Sequence, residues 1–135
     1  MDDQNVAGEA PKYAVGQLWA YRTRPSEPDS TVLINYVEHN QILGDIYHIG
    51  VLGVSLPSPG PENNPITELP HFPVSRATLD KSVTALVENR RPDPTYIEGY
   101  REWKQAFDDG KAGIFDISVA EIVDIIEQAI SQQRG

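Results

Sequence analysis

Three histidines, His39, His48 and His71, are the residues of this chain best suited to chemistry at neutral pH. An imidazole exchanges a proton near pH 6.5, and its neutral form ligates metals. All three share a segment with Glu38, Asp45, Glu62 and Glu68. Carboxylate–imidazole pairs for acid–base work and a mixed metal site are therefore the chemistries to weigh. The spacing argues against a metal, because the histidines lie 9 and 23 residues apart and no H-x-x-x-H or H-x-H converges them locally. The chain has no cysteine, which excludes thiol catalysis, disulfides and thiolate zinc sites. It also lacks G-x-S-x-G, H-E-x-x-H and a phosphate-cradling glycine loop, and Gly50-Val-Leu-Gly53 has the wrong spacing for a dinucleotide fingerprint. No catalytic residue, metal or cofactor is assigned on these grounds. Arg22 and Arg24 share one strand face and suit a bidentate clamp on a carboxylate or phosphate, with ordinary surface pairing to Glu27 as the alternative.

Charge is the more informative property. The 135 residues carry a formal charge of −9. Nucleic-acid binding is not expected, since phosphate neutralisation needs clustered Lys and Arg. Between Arg24 and Arg76 there is no Lys or Arg, while Glu27, Asp29, Glu38, Asp45, Glu62 and Glu68 all fall there. This span is expected to form one continuous negative surface that attracts a basic protein. Glu38, Asp45, Glu62 and Glu68 are its candidate partner-binding residues, with Tyr47 and His48 as central contacts. The opening residues 1–12 are polar, without the apolar core of a signal peptide, and read as a disordered leader before a single domain over 13–135. No run approaches the length of a membrane span, so a soluble, cytoplasmic protein is expected.

The elements that must position these residues are strands first and helices after. Runs 15–24, 31–37 and 45–54 are rich in β-branched and aromatic residues and bounded by Pro, Gly, Asp or Asn. Gly50 and Gly53 predict a bulge or bend in the third run. The proline-dense residues 57–65 form a loop, and 66–73 reads as an edge strand, where proline is tolerated. Ser75 caps an expected helix with Leu79, Val83, Leu86 and Val87 on one face, ending before Arg90. A second helix, beginning near Pro94, stacks Tyr96, Tyr100, Trp103 and Phe107 as a core stripe until Asp108-Asp-Gly110 stops it. Ile114 to Ile117 is expected to return to the sheet. Ser118-Val-Ala-Glu121 is a capping box, followed by an apolar stripe through Val119, Ile122, Val123, Ile126, Ala129 and Ile130.

The order Val15-Gly-x-x-Trp19-x-Tyr21-x-x-Arg24-Pro25, then Gly99-Tyr-x-x-Trp103 and a capped terminal helix, resembles small uncharacterised bacterial soluble proteins. That resemblance implies no activity, cofactor or ligand. The opening Val-Gly-x-x-Trp-x-Tyr is also similar to the first strand of curled β-barrels found among toxin-immunity proteins. The resulting expectation is an α+β fold: a curled, half-barrel-like antiparallel sheet of four or five strands packed by three helices. Its expected function is that of a non-enzymatic, acidic interaction module docking a basic partner, with an immunity-type protein as the specific version. The alternatives are a small-molecule or metal-binding domain and a small hydrolase.

Overall fold

The computed structural model describes residues 12–58 and 64–134. The expected leader, apart from Lys12, and Glu62 lie outside the described residues. The fold is α+β, with five antiparallel strands that do not close into a barrel. They are β1 (Gln17–Tyr21), β2 (Thr31–Asn40), β3 (Gly44–Leu56), β4 (Ile66–Val74) and β5 (Val83–Asn89), in the order β4-β3-β2-β1-β5. Three helices accompany them: α1 (Arg76–Ser82), α2 (Tyr96–Asp108) and α3 (Val119–Arg134). No helix among the described residues is long and apolar enough to cross a membrane.

Two assignments differ from expectation. The helix after Ser75 stops at Ser82, and Val83–Asn89 continues as a strand along β1. The run Val-Thr-Ala-Leu-Val suits a strand as well as a helix, and pairing it satisfies the backbone groups on the open edge of β1. The fifth strand is therefore β5. Ile114 to Ile117 contributes only an isolated parallel bridge between Phe115 and Val74.

Side-chain alternation divides the sheet into two faces. The first presents Trp19, Tyr21, Val32, Ile34, Tyr47, Ile49, Val51, Phe72 and Val74 to Leu79 of α1 and to Val119, Ile122, Val123 and Ile130 of α3. Most of the expected α3 stripe is buried there, whereas Ala129 is exposed. The cap forms as the sequence indicates: Glu121 N–H donates to Ser118 Oγ, and the Ser118 N–H and hydroxyl donate to Glu121 Oε1. The second face carries Leu18, Leu33, Ile46 and His48, all buried, and α2 lies over its β3–β4 half.

Gly16 closes one corner. At φ 93° it lets its carbonyl accept from Arg90 N–H at 2.7 Å, and a Cβ would stand 2.7 Å from Arg90 O. The chain after β5 is thereby directed across the second face. There Asn35, itself buried, accepts from Asp93 N–H at 2.8 Å and sets the entry to α2.

Candidate functional site

The second face gathers the chemistry-bearing residues. Ile49 belongs to the core, so its neighbour His48 must point the opposite way. Register shifts then bring β2 and β4 residues to the same side. One lies between Ile34 and Tyr36, after which Tyr36 pairs with His48 and Glu38 with Ile46. The other lies between the Phe72 and Leu69 pairings of β4, so that both these residues reach the core and His71 is left on the second face.

The result is a hydrogen-bonded chain across three strands. Glu38 Oε1 lies 2.9 Å from His48 Nε2, and His48 Nδ1 lies 2.9 Å from His71 Nε2. The imidazole planes differ by 13° and their centroids are 5.1 Å apart. With nitrogens in hydrogen-bond contact, this is the geometry of rings joined edge to edge. Tyr36 lies beside His48 on the other side, at 5.6 Å and 24°.

Helix α2 covers the chain with aromatic edges. Tyr100 meets Tyr36, His48 and His71 nearly at right angles, at 5.4, 4.8 and 6.2 Å. Trp103 approaches His48 at 5.0 Å and donates its indole N–H to Gly113 O at 2.8 Å. Gly99 allows this approach, since a Cβ there would lie 3.1 Å from His71 Cβ. Lys104 completes the group, its ammonium 2.9 Å from Glu38 Oε2 and 3.4 Å from Asp108. None of α2's residues, all of them described, is buried. The stripe expected to be core thus forms a half-buried roof.

Burial pushes the Glu38 carboxyl up, but the hydrogen bonds from Lys104 and His48 outweigh it and hold the group below its ordinary range. The carboxylate is then an acceptor only. Burial lowers the pKa of His48, and the bond to Glu38 only partly restores it. Burial, reinforced by His48, lowers that of His71 to about 4. Both rings are neutral at pH 7. Such a chain accepts at both ends, the Glu38 carboxylate at one and His71 Nδ1 at the other, where it can take up a proton. Among the described residues, no group of three or more His, Asp or Glu side chains is arranged to hold a metal ion.

The other candidate residues do not join this chain. Tyr47 and His48 are both buried, at 3% and 0% exposure, so neither is a surface contact for a partner. Strand alternation between two covered faces is the reason. Asp45, on the opposite side of its strand from His48, pairs with His39 at 2.6 Å. Glu68 is exposed beside Asp93, and burial followed by the Asp93 charge raises its pKa. Glu27 is buried and receives two hydrogen bonds from Arg24 and one from Ser55 N–H. The described carboxylates are divided between the two sides of the sheet and several have internal partners, so the single continuous negative surface does not form.

Comparison with models of protein families, curated proteins and solved structures returns no match.

Arg22 and Arg24 also separate. Arg22 donates to Lys81 O at 3.1 Å, while Arg24 binds Glu27 at 2.9 and 3.0 Å, Asp124 at 3.1 Å and Glu127 at 2.6 Å. The Arg24 donors that would clamp an external anion thus hold the protein's own carboxylates and secure α3, while Arg22 is taken up by a backbone carbonyl.

The β2–β3 hairpin supplies a feature that charge counting passed over. Asn40 Oδ1 accepts from the N–H of Ile42 at 2.9 Å and of Leu43 at 2.8 Å, an Asx-type lock on the turn. It presents Ile42 at 92% exposure and Leu43 at 47%. The sequence signal was two adjacent aliphatic residues inside a polar turn.

Proposed function

We propose that this protein is a non-enzymatic interaction module that docks a basic partner, with the β2–β3 hairpin tip as its apolar contact. The observation that carries this reading is the almost fully exposed Ile42 on a turn locked by Asn40. A locked tip loses little conformational freedom on binding, which favours association. The net charge of −9 supplies long-range attraction to a cationic surface and raises the encounter rate. The finer version is an immunity-type protein whose docking occludes the partner. With His39 and Asp45 paired at the hairpin's base, charge guides the approach while Ile42 and Leu43 provide the contact area.

The test is affinity capture from the native host by the wild type and by Ile42→Ser/Leu43→Ser, at low and at physiological salt. We expect a basic protein retained by the wild type, lost with the double variant and weakened by salt. Capture unaffected by the double substitution removes the hairpin from the proposal, and the absence of any basic partner removes the proposal itself.

One observation favours a second reading, a small hydrolase: the Glu38–His48–His71 chain has the form of a carboxylate-supported base. That reading expects hydrolysis of activated esters which rises as His71 deprotonates and is lost in His71→Gln. Equal rates for the two proteins eliminate it.

A further inference from the structure

Each link of the second-face chain has room for only one proton. Glu38 is ionised, so His48 donates through Nε2–H. His48 Nδ1 is then a lone pair and accepts from His71 Nε2–H. The only vacant ring position is His71 Nδ1, and no described residue donates to it. An added proton must go there, or it must break a link. At His71 Nδ1 it leaves one positive charge on the imidazole pair beneath α2, shared through the His71–His48 hydrogen bond in a site whose burial disfavours it. The Lys104 ammonium, held over Glu38, further disfavours charge on His48.

We propose that the Glu38–His48–His71 chain is a proton-operated latch: protonation at His71 releases α2 from the sheet while the core on the opposite face stays folded. Helix α2 is the element to yield because none of its residues is buried and it contributes nothing to the core cluster shared by α1 and α3. Elements with little buried apolar contact open at the lowest free energy. Release exposes Tyr36, both imidazoles and the aromatic side of α2.

The depressed pKa values of His48 and His71 agree in direction. A base whose pKa is lower folded than unfolded gives stability that is complete above its unfolded value near 6.5. That stability is lost as pH falls toward the folded value, about 4 for His71. The other ionisable groups facing the chain are Glu38 and Tyr36 from β2 and Tyr100 and Lys104 from α2. The raised pKa values of Tyr100 and Lys104 keep their charges fixed in this range, and the lowered pKa of Glu38 keeps it ionised. Glu68, near the entry to α2, acts in the opposite sense because its pKa is raised and protonating it relieves repulsion with Asp93. The opening therefore belongs to the interval from about pH 6.5 to 5, where histidine protonation dominates.

Hydrogen–deuterium exchange of the whole protein at pH 7.5, 6.0 and 5.0, corrected for intrinsic exchange, tests the latch. We expect protection over 96–108 to fall at least tenfold between pH 7.5 and 5.0, while peptides from β3 and α3 keep theirs. His71→Gln retains a donor toward His48 but cannot take up the proton, so the pH dependence of its α2 protection should shrink to the share that His48 contributes. Fluorescence of Trp103 in a Trp19→Phe background gives a second measurement, with a red shift expected over the same interval. Loss of protection in α2 and the core together, an α2 indifferent to pH, or a His71→Gln variant that responds as the wild type does would overturn the proposal.

Discussion

The two faces of the sheet are closed by different physics. On the first, aliphatic and aromatic side chains from β1–β4 meet α1 and α3 in a cluster that includes Ile34, Ile49, Ile122 and Val123, all fully buried. That attraction is non-directional and insensitive to protonation. On the second, α2 is held by ring edges, one ion pair and its position over a hydrogen-bonded pair of imidazoles. Those interactions depend on angle and charge state. One sheet can therefore carry a permanent side and a conditional one, and substitutions on the two sides should behave differently.

The largest effect is expected where a charge belongs to the permanent side. Arg24 is 10% exposed and Glu27 1%, and the same guanidinium holds Asp124 and Glu127 of α3. Arg24→Met leaves a buried carboxylate without its cation, at a cost of about 3–5 kcal/mol. Urea denaturation should show the whole protein destabilised in one transition. A loss confined to α3 would mean that the first face is not a single cooperative unit.

A smaller and more local effect is expected on the conditional side. Glu38→Gln retains an acceptor for His48 Nε2–H but removes the ion pair with Lys104, whose side chain is 36% exposed. The expected loss is about 1–2 kcal/mol, the worth of a hydrogen bond to a charged group discounted for solvent. Hydrogen exchange should place that loss in α2 and leave β3 unchanged. Equal losses in the two would erase the distinction between the faces.

The sequence disclosed the permanent side better than the conditional one. A capping box followed by a 3.6-residue apolar period leaves few alternatives, so α3 was legible. Pro70 and Pro73 likewise marked β4 as an edge strand. Val83–Asn89 was not legible, because its apolar spacing fits a helix and only the open edge of β1 decides for a strand. The meeting of Glu38, His48 and His71 depends on two register shifts, and a bulge changes which face every later residue occupies. His48's parity and the Tyr96–Tyr100–Trp103–Phe107 stripe were visible separately. Nothing local joined them, although Gly99 in the middle of that stripe marked a close approach. Glu27 sits in a proline-bounded turn that reads as surface, and only the return of β3 and α3 encloses it.

Gly99 offers the finest test of how the two sides differ. In an open helix, Gly→Ala stabilises by about 1 kcal/mol through reduced backbone freedom. Here the new Cβ would lie 3.1 Å from His71 Cβ, so His71 or the helix must shift by a few tenths of an ångström. His71 is poorly placed to yield, because its Nε2 is bonded to His48 at 2.9 Å and its ring lies under Tyr100. Gly99→Ala alone is therefore expected to be neutral or destabilising by up to about 1 kcal/mol, since the strain offsets the propensity gain. In a His71→Ala background the obstruction is gone, and the same substitution should stabilise by about 0.5–1 kcal/mol. A double-mutant cycle by urea denaturation at pH 7.5 reads the coupling as the difference between those two values. A clear coupling means that α2 is seated against a fixed imidazole. Equal effects in the two backgrounds would mean that the helix settles wherever the aromatic rings allow, so that the hydrogen-bonded chain beneath does not determine its position.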